Sequence, residues 1–186
     1  YMEAATDAGE CDHPEGCEFC SGATDGTGYA IDNDQDDDGI CDGLDPCIGA
    51  YDAFGVCNGD GTIQGALDNS LAGDTISIPA GAYIEALVIT HSIYLIADGE
   101  VLLDVSGSTT GVAIEAGVSN VLIDGLDVTG NSLTGSGITI NPGCANVEIR
   151  DNSISQILLP GGGNQSPLSY GILCWGDSNP IAPPSG

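Results

Sequence analysis

From about residue 62 to residue 178, short runs of Val, Ile and Leu alternate with small or polar residues. Gly, Asn, Asp and Ser punctuate the runs. Alternation with a period of two, bounded by turn-forming residues, predicts β-strands and tight turns. The runs also repeat. A shift of 26 lays Val112 on Ile138, Ile114 on Ile140 and Gly117 on Gly143. It also lays Asn120 on Asn146, Val121 on Val147, Ile123 on Ile149 and Val128 on Ile154. "IYLIADGEVLL" fits with a shift of about 27, which places Tyr94 and Ile96 before Val121 and Ile123, and "GILCW" rejoins the pattern after an insertion at 158–170.

A unit of this length, with three short strands and turns, predicts one coil of a right-handed parallel β-helix. No coil buries its apolar face alone, so coils must stack. The recurring Gly and Asn suit turns that need positive φ. The pattern holds for about four to five coils. Ahead of it, "TIQGALDNSLAGD" (62–74) puts Ile63, Ala66, Leu67 and Leu71 on one helical face. That predicts an amphipathic helix covering the first coil's strand edges.

The first 60 residues show no apolar periodicity. They hold 16 of the 28 acidic residues and six of the eight cysteines. So short a segment cannot bury much core, so disulfides, metal or both must hold it. The fold class expected is therefore mainly β, a short parallel β-helix behind a loop-rich stapled module. The divisions fall at 1–61, 62–178 and a Pro-rich tail, 179–186. Cysteine density in a short segment reads as a disulfide framework made in an oxidising compartment. Cys17-x-x-Cys20 also has the spacing of a zinc site, but no second such pair follows. Downstream, Cys144 and Cys174 fall on adjacent coils, either paired or as free thiols.

"DNDQDDDGICDGLDPC" (32–47) crowds seven aspartates into sixteen positions. Counting from Asp34, the acids Asp34, Asp36 and Asp38 take positions 1, 3 and 5. Gly39 is position 6, Ile40 position 7, Asp42 position 9 and Asp45 position 12. This follows the D-x-D-x-D-G calcium loop, with Asp in place of Glu at the end. Alternate carboxylates point inward, the glycine allows the turn, and the Ile40 carbonyl adds an oxygen. Asp32 and Asp37 are spare, Asp32 available to an overlapping site and Asp37 facing solvent. Pro46 and Cys47 follow at once, so no helix pair flanks the loop and Ca2+ acts as a staple rather than a trigger.

"DQDDDGICDGLDPC" resembles a thrombospondin type 3 repeat. "GVCNGDG" (55–61) resembles the segment that often accompanies such repeats in secreted bacterial surface proteins. The resemblance covers about 30 residues and implies calcium on Asp34, Asp36, Asp38, Asp42, Asp45 and the Ile40 carbonyl, with paired cysteines. It departs at Phe54, where related segments often carry cysteine. The later region resembles the pectin-lyase-like β-helix superfamily over about 115 residues. That likeness speaks for fold more than for activity.

The chain carries one basic residue, Arg150, and a formal charge of −27. Such a surface repels nucleic acid, anionic lipid and polyuronic acids, and leaves hard cations as the counter-charge. No apolar run is long enough to span a membrane. The chain opens on Tyr1 rather than Met, as expected of a secreted chain that has lost its leader. Asn164 begins an N-glycosylation tripeptide.

No catalytic residues are assigned. Arg150 follows Asp124 by the repeat offset, which predicts an ion pair between coils rather than a catalytic base. Asp124, Asp127, Glu148 and Asp151 read as outward, solvated carboxylates. His13 and His91 read as surface residues. Tyr170 and Trp175 are candidates for a sugar-stacking platform or for packing at the last coil. The function expected is an extracellular, calcium-stabilised structural or adhesive surface protein. The alternative is a carbohydrate-active protein that binds or cleaves a neutral glycan. No helix caps the far end. A folded-back tail, further coils of a longer chain, or another subunit stacked head to tail into filaments would each cover it.

Overall fold

The computed structural model describes residues 16–21, 29–158 and 169–175. The tail at 179–186, Asn164, His13 and Cys11 lie outside them. The chain divides into two compact units, 1–58 and 59–186.

Among the described residues of the first unit, regular structure is confined to an antiparallel pair, β1 (Phe19–Cys20) and β2 (Ala30–Ile31), and a bridge between Tyr51 and Cys57. Covalent links take the place of a core. Cys17 bonds Cys41 and Cys47 bonds Cys57, and Cys20 is disulfide-bonded too. With Cys17 and Cys20 oxidised, the zinc reading of their spacing falls. Each of the two loops closed, 24 and 10 residues in separation, removes denatured-state entropy on the order of 3 kcal/mol.

The second unit opens with helix α1 (Ile63–Asp68), capped by the Thr62 side chain, which accepts from the Gly65 N–H. Ile63, Ala66 and Leu67 are buried. The helix is shorter than the sequence predicts. Asn69 ends it, its backbone and side-chain N–H groups both bonded to the Gly65 carbonyl, and Ser70 Oγ donates to the Leu67 carbonyl. Leu71 therefore lies past the helix and is 75% exposed. These short polar side chains offer the last turn its partners locally, so it stops one turn early.

Among the described residues nine strands follow: β3 (Asp74–Ile84), β4 (Leu87–Ile89), β5 (Ile93–Asp104), β6 (Thr110–Ile114), β7 (Ser119–Thr129), β8 (Ser136–Ile140), β9 (Ala145–Arg150), β10 (Ser153–Ser155) and β11 (Tyr170–Cys174). They form two parallel sheets. One runs β3, β5, β7, β10, with β9 also on β7; the other runs β4, β6, β8, β11. From β3 to β8 the chain alternates between the sheets, so each strand returns beside its predecessor two elements earlier.

The register is the one the repeat predicts in the middle of this unit. Val112 pairs Ile138, Ile114 pairs Ile140, Val121 pairs Val147, Ile123 pairs Ile149, and Val128 pairs Ile154. The turn residues stack too. Asn120 and Asn146 adopt φ of 59° and 53°, and the Asn146 side-chain amide donates to Asn120 Oδ1 at 3.0 Å. Asn tolerates that left-handed conformation better than other residues bearing a Cβ.

The expected register of β5 is off by one. Ile93, not Tyr94, pairs Val121, and Leu95, not Ile96, pairs Ile123. Ile93 and Leu95 are fully buried while Tyr94 faces outward. A one-residue slip exchanges the faces of a strand, and burial fixes which register wins. The cause is an insertion. Five steps separate Ile96 from Val101 where two separate Asp124 from Leu126, so the offset falls from 28 to 25 within one strand pair.

The core is aliphatic and stacked, with Ile78, Leu95, Leu103, Ile114, Ile123 and Ile138 fully buried. Cys144 and Cys174 are both free thiols, with Cys144 Sγ directed at the Glu115 carbonyl.

Candidate metal centre

The aspartate loop is built from carboxylates that accept backbone N–H groups. Asp34 Oδ1 accepts from Asp38 and its Oδ2 from Gly39, at 3.1 and 2.9 Å. Asp38 Oδ1 accepts from Ile40 at 2.7 Å. Asp36 Oδ2 reaches across the loop to the Gly49 N–H at 2.7 Å. Asp42 Oδ1 accepts from Gln35 at 2.9 Å, and the Asp42 N–H donates to the Asn33 carbonyl at 2.8 Å. Asp45 Oδ1 accepts from Cys47 at 2.7 Å. Asp37 and Gly39 take positive φ, 57° and 90°, which makes the sharp reversal. Cys41 and Cys47 anchor the loop's second half through their disulfides.

Each carboxylate is thereby aimed. Asp34, Asp36 and Asp38 each present an oxygen within 4.8 Å of the other two. At that separation each pair of like charges repels by about 1 kcal/mol in water, rising to about 4 kcal/mol at the effective dielectric of a protein surface. Hydrogen bonds offset part of this, and two oxygens receive none. Asp36 Oδ1 and Asp45 Oδ2 are buried with no hydrogen-bond partner. Buried polar atoms are normally partnered, and an orphaned carboxylate oxygen is costly. These orphans fall at positions 3 and 12 of the calcium-loop numbering. A hard cation would partner such oxygens and cancel the repulsion, and an all-oxygen donor set suits Ca2+ or Mg2+ rather than zinc.

Of the six residues expected as ligands, Asp34, Asp36 and Asp38 form the converging group. The carboxylates of Asp42 and Asp45 are not part of it; each lends one oxygen to the backbone. Ile40 follows the group, its N–H held by Asp38. Asp32 accepts from the Asp34 N–H at 3.0 Å. Asp32, Asp34 and Asp37 line an open cavity of about 200 Å³ with Cys17, Glu18 and Gly39. The Asp36–Gly49 bond escapes sequence reading, because Gly49 lies beyond the loop and no spacing rule announces it.

The second unit's polar sites are structural in character. Arg150 Nε and Nη2 lie 3.0 and 2.8 Å from Asp124 Oδ2, and Nη1 is 3.4 Å from Glu148. The pair is the one the repeat predicts, since Asp124 and Arg150 are register partners. The hydrogen bond and charge of Asp124 hold the guanidinium pKa above its usual range. His91, expected on the surface, is half-buried. Its Nε2 is 2.9 Å from Ser70 Oγ and its Nδ1 3.2 Å from Thr90 Oγ1. Ser70 donates its one hydroxyl proton to the Leu67 carbonyl. Tyr170 and Trp175 flank β11 at opposite ends, about 16 Å apart along an extended strand. They do not form one stacking platform.

Comparison with protein-family models, with curated proteins and with solved structures finds no match.

Proposed function

We propose that the protein is an extracellular, calcium-stabilised structural or adhesive surface protein that associates with itself. Its first unit acts as a thrombospondin-type-3-like module, and its second is a short right-handed parallel β-helix. The observation that carries the calcium reading is the orphaned Asp36 Oδ1 in a loop where the carboxylates of Asp34, Asp36 and Asp38 already converge. The alternation of the chain between two parallel sheets, with a nearly constant offset over the central strands, supports a solenoid. Parallel crossovers are right-handed in nearly all cases. Disulfides favour an oxidising compartment, and no described helix is long and apolar enough to cross a membrane.

The glycan alternative lacks a groove that gathers acids with aromatics among the described residues, and Tyr170 and Trp175 stand apart. Titration calorimetry on chelator-treated protein separates the readings. Calcium binding in the micromolar to millimolar range, weakened at least about tenfold in Asp36→Asn and not reproduced by zinc, supports the calcium staple. No heat with calcium up to about 10 mM, beyond the weakest extracellular modules, contradicts it.

A further inference from the structure

The hairpin that follows the acidic loop ends on a reactive pair. Asn58 closes the first compact unit and Gly59 opens the second. Asn58 is the chain's one asparagine that precedes glycine. Asparagine is among the thermally labile side chains. Its carboxamide carbon is open to attack by the backbone nitrogen of the next residue, and a side chain on that residue crowds the approach. Glycine has no Cβ and leaves the nitrogen accessible. Asn120 and Asn146 precede valine, whose branched Cβ shields it, and Asn141 precedes proline, which carries no N–H. Asn69, Asn131 and Asn152 precede serine, and each has its side chain tied to backbone groups.

The surroundings of Asn58 give that chemistry a consequence. Asn58 is exposed and takes a φ of 51°. Its backbone N–H donates to the Ala50 carbonyl at 2.9 Å and its Nδ2 to the Ile48 carbonyl at 3.1 Å. The carboxamide lies against Gly49, where a Cβ would run into it. Cys47–Cys57 closes the same hairpin, and Tyr51 bridges Cys57. Gly49 in turn gives its N–H to Asp36 Oδ2 at 2.7 Å. The Asn58 side chain therefore braces the residue that holds Asp36 from outside the acidic loop.

We infer that Asn58 is a site of spontaneous covalent modification, restrained by the disulfide-closed hairpin that it completes. The Gly59 nitrogen bonds to Asn58 Cγ and gives up its proton to water, the Cγ–Nδ2 bond breaks, and ammonia leaves. Water then opens the cyclic imide at either carbonyl. One product is aspartate. The other is isoaspartate, which routes the main chain through Cβ and Cγ and so lengthens it where the two units join. No oxidant or cofactor takes part. Either product exchanges the Nδ2 donor for a carboxylate oxygen. That oxygen faces the Ile48 carbonyl, acceptor against acceptor, so the hairpin loosens at Gly49. Opening the hairpin also frees the carboxamide to turn toward Gly59, so reduction of Cys47–Cys57 speeds the reaction. The inference does not rest on calcium.

Prolonged incubation of the full chain at neutral and mildly alkaline pH, followed by peptic peptide mapping with mass spectrometry, tests it. Oxidised chain is compared with chain kept in a dithiol reductant. The expected result in oxidised chain is amide-to-acid conversion at Asn58 ahead of Asn69, Asn131 and Asn152. With reductant, conversion at Asn58 should be faster still. Gly59→Ala should lower it to the rate of the three Asn–Ser sites, with circular dichroism as the check on folding. In converted oxidised chain, separated by charge, the Gly49 N–H should exchange faster than in the unconverted fraction. Conversion at Asn58 no faster than at the Asn–Ser sites overturns the proposal. So does a rate that reductant leaves unchanged, or Gly49 exchange that conversion leaves unchanged. Should Gly59→Ala fail to fold, the order of the sites in the unaltered chain still decides. None of these readouts needs a cation, so the calcium reading stands or falls separately.

Discussion

The two units of this chain reach a defined structure by opposite means. The second is periodic. Its order comes from apolar residues stacked in register, each strand supplying the wall its predecessor lacks. The first has almost no core; Cys47 is its one buried apolar residue among those described. Its order comes from disulfides and from carboxylates that accept backbone N–H groups. Three of those carboxylates, on Asp34, Asp36 and Asp38, converge closely enough to hold a metal ion. Stacked apolar surface carries no redox-sensitive link, whereas the cystines of the first unit do, and under the proposed calcium reading that unit depends on the medium's ions as well.

Treatment with reductant and chelator together gives the sharpest contrast. It should unfold the first unit and leave the second's β-sheet signal in place, read by far-ultraviolet circular dichroism and by protease sensitivity confined to residues 16–58. Next in size is a core truncation. Leu95→Ala, at a fully buried site between two strands, should cost about 3 kcal/mol by denaturant unfolding and leave calcium affinity unchanged. Asp36→Asn should do the converse. It keeps the bond to Gly49 but removes a charge, so it should lower calcium affinity at least about tenfold, about 1.4 kcal/mol, with no change in the second unit's unfolding midpoint.

Arg150→Met should cost less than about 1 kcal/mol of folding stability, as exposed pairs do. The smallest effect is acid dependence. Hydrogen bonds from Thr62 to Asp60 and from Ser106 to Asp104 hold both carboxyls below their usual value of 3.8. Folded pKa values below unfolded ones mean that this contribution is complete above about pH 5 and is lost as pH falls through the folded values. Asp104→Asn should therefore flatten the second unit's stability profile below pH 4, read by thermal melts across pH.

Sequence reading located the sheets because their information is local and repeated. Val121, Ile123 and Asn120 predict Val147, Ile149 and Asn146 by offset alone, and the Asp124–Arg150 pair follows from the same number. It missed the slip in β5, because the inserted residues Ala97–Glu100 are ordinary in composition and only burial of Leu95 over Ile96 reveals them. It overran α1, because Leu71 continues the apolar stripe while Asn69 and Ser70, which end the helix, act through side-chain hydrogen bonds that a stripe does not encode. In the acidic loop, spacing placed Asp34, Asp36 and Asp38 together, since alternate residues of a tight turn converge. Spacing did not show that Asp42 and Asp45 each give an oxygen to the backbone, nor that Gly49 holds Asp36 from outside the loop. The Asp36–Gly49 and Asp42–Gln35 bonds span 13 and 7 residues, beyond any spacing rule, whereas the Asp45–Cys47 bond is a local turn of 2 residues.

The central claim is that a cation orders the first unit and leaves the second untouched. Hydrogen exchange by mass spectrometry, with calcium and with chelator, measures it most directly. The account predicts that calcium slows exchange across residues 34–49, where Gly39, Ile40 and Gly49 donate to the aspartates, and leaves residues 93–149 unchanged. Equal protection of 34–49 in both conditions, or a change of the same size in both units, would contradict it.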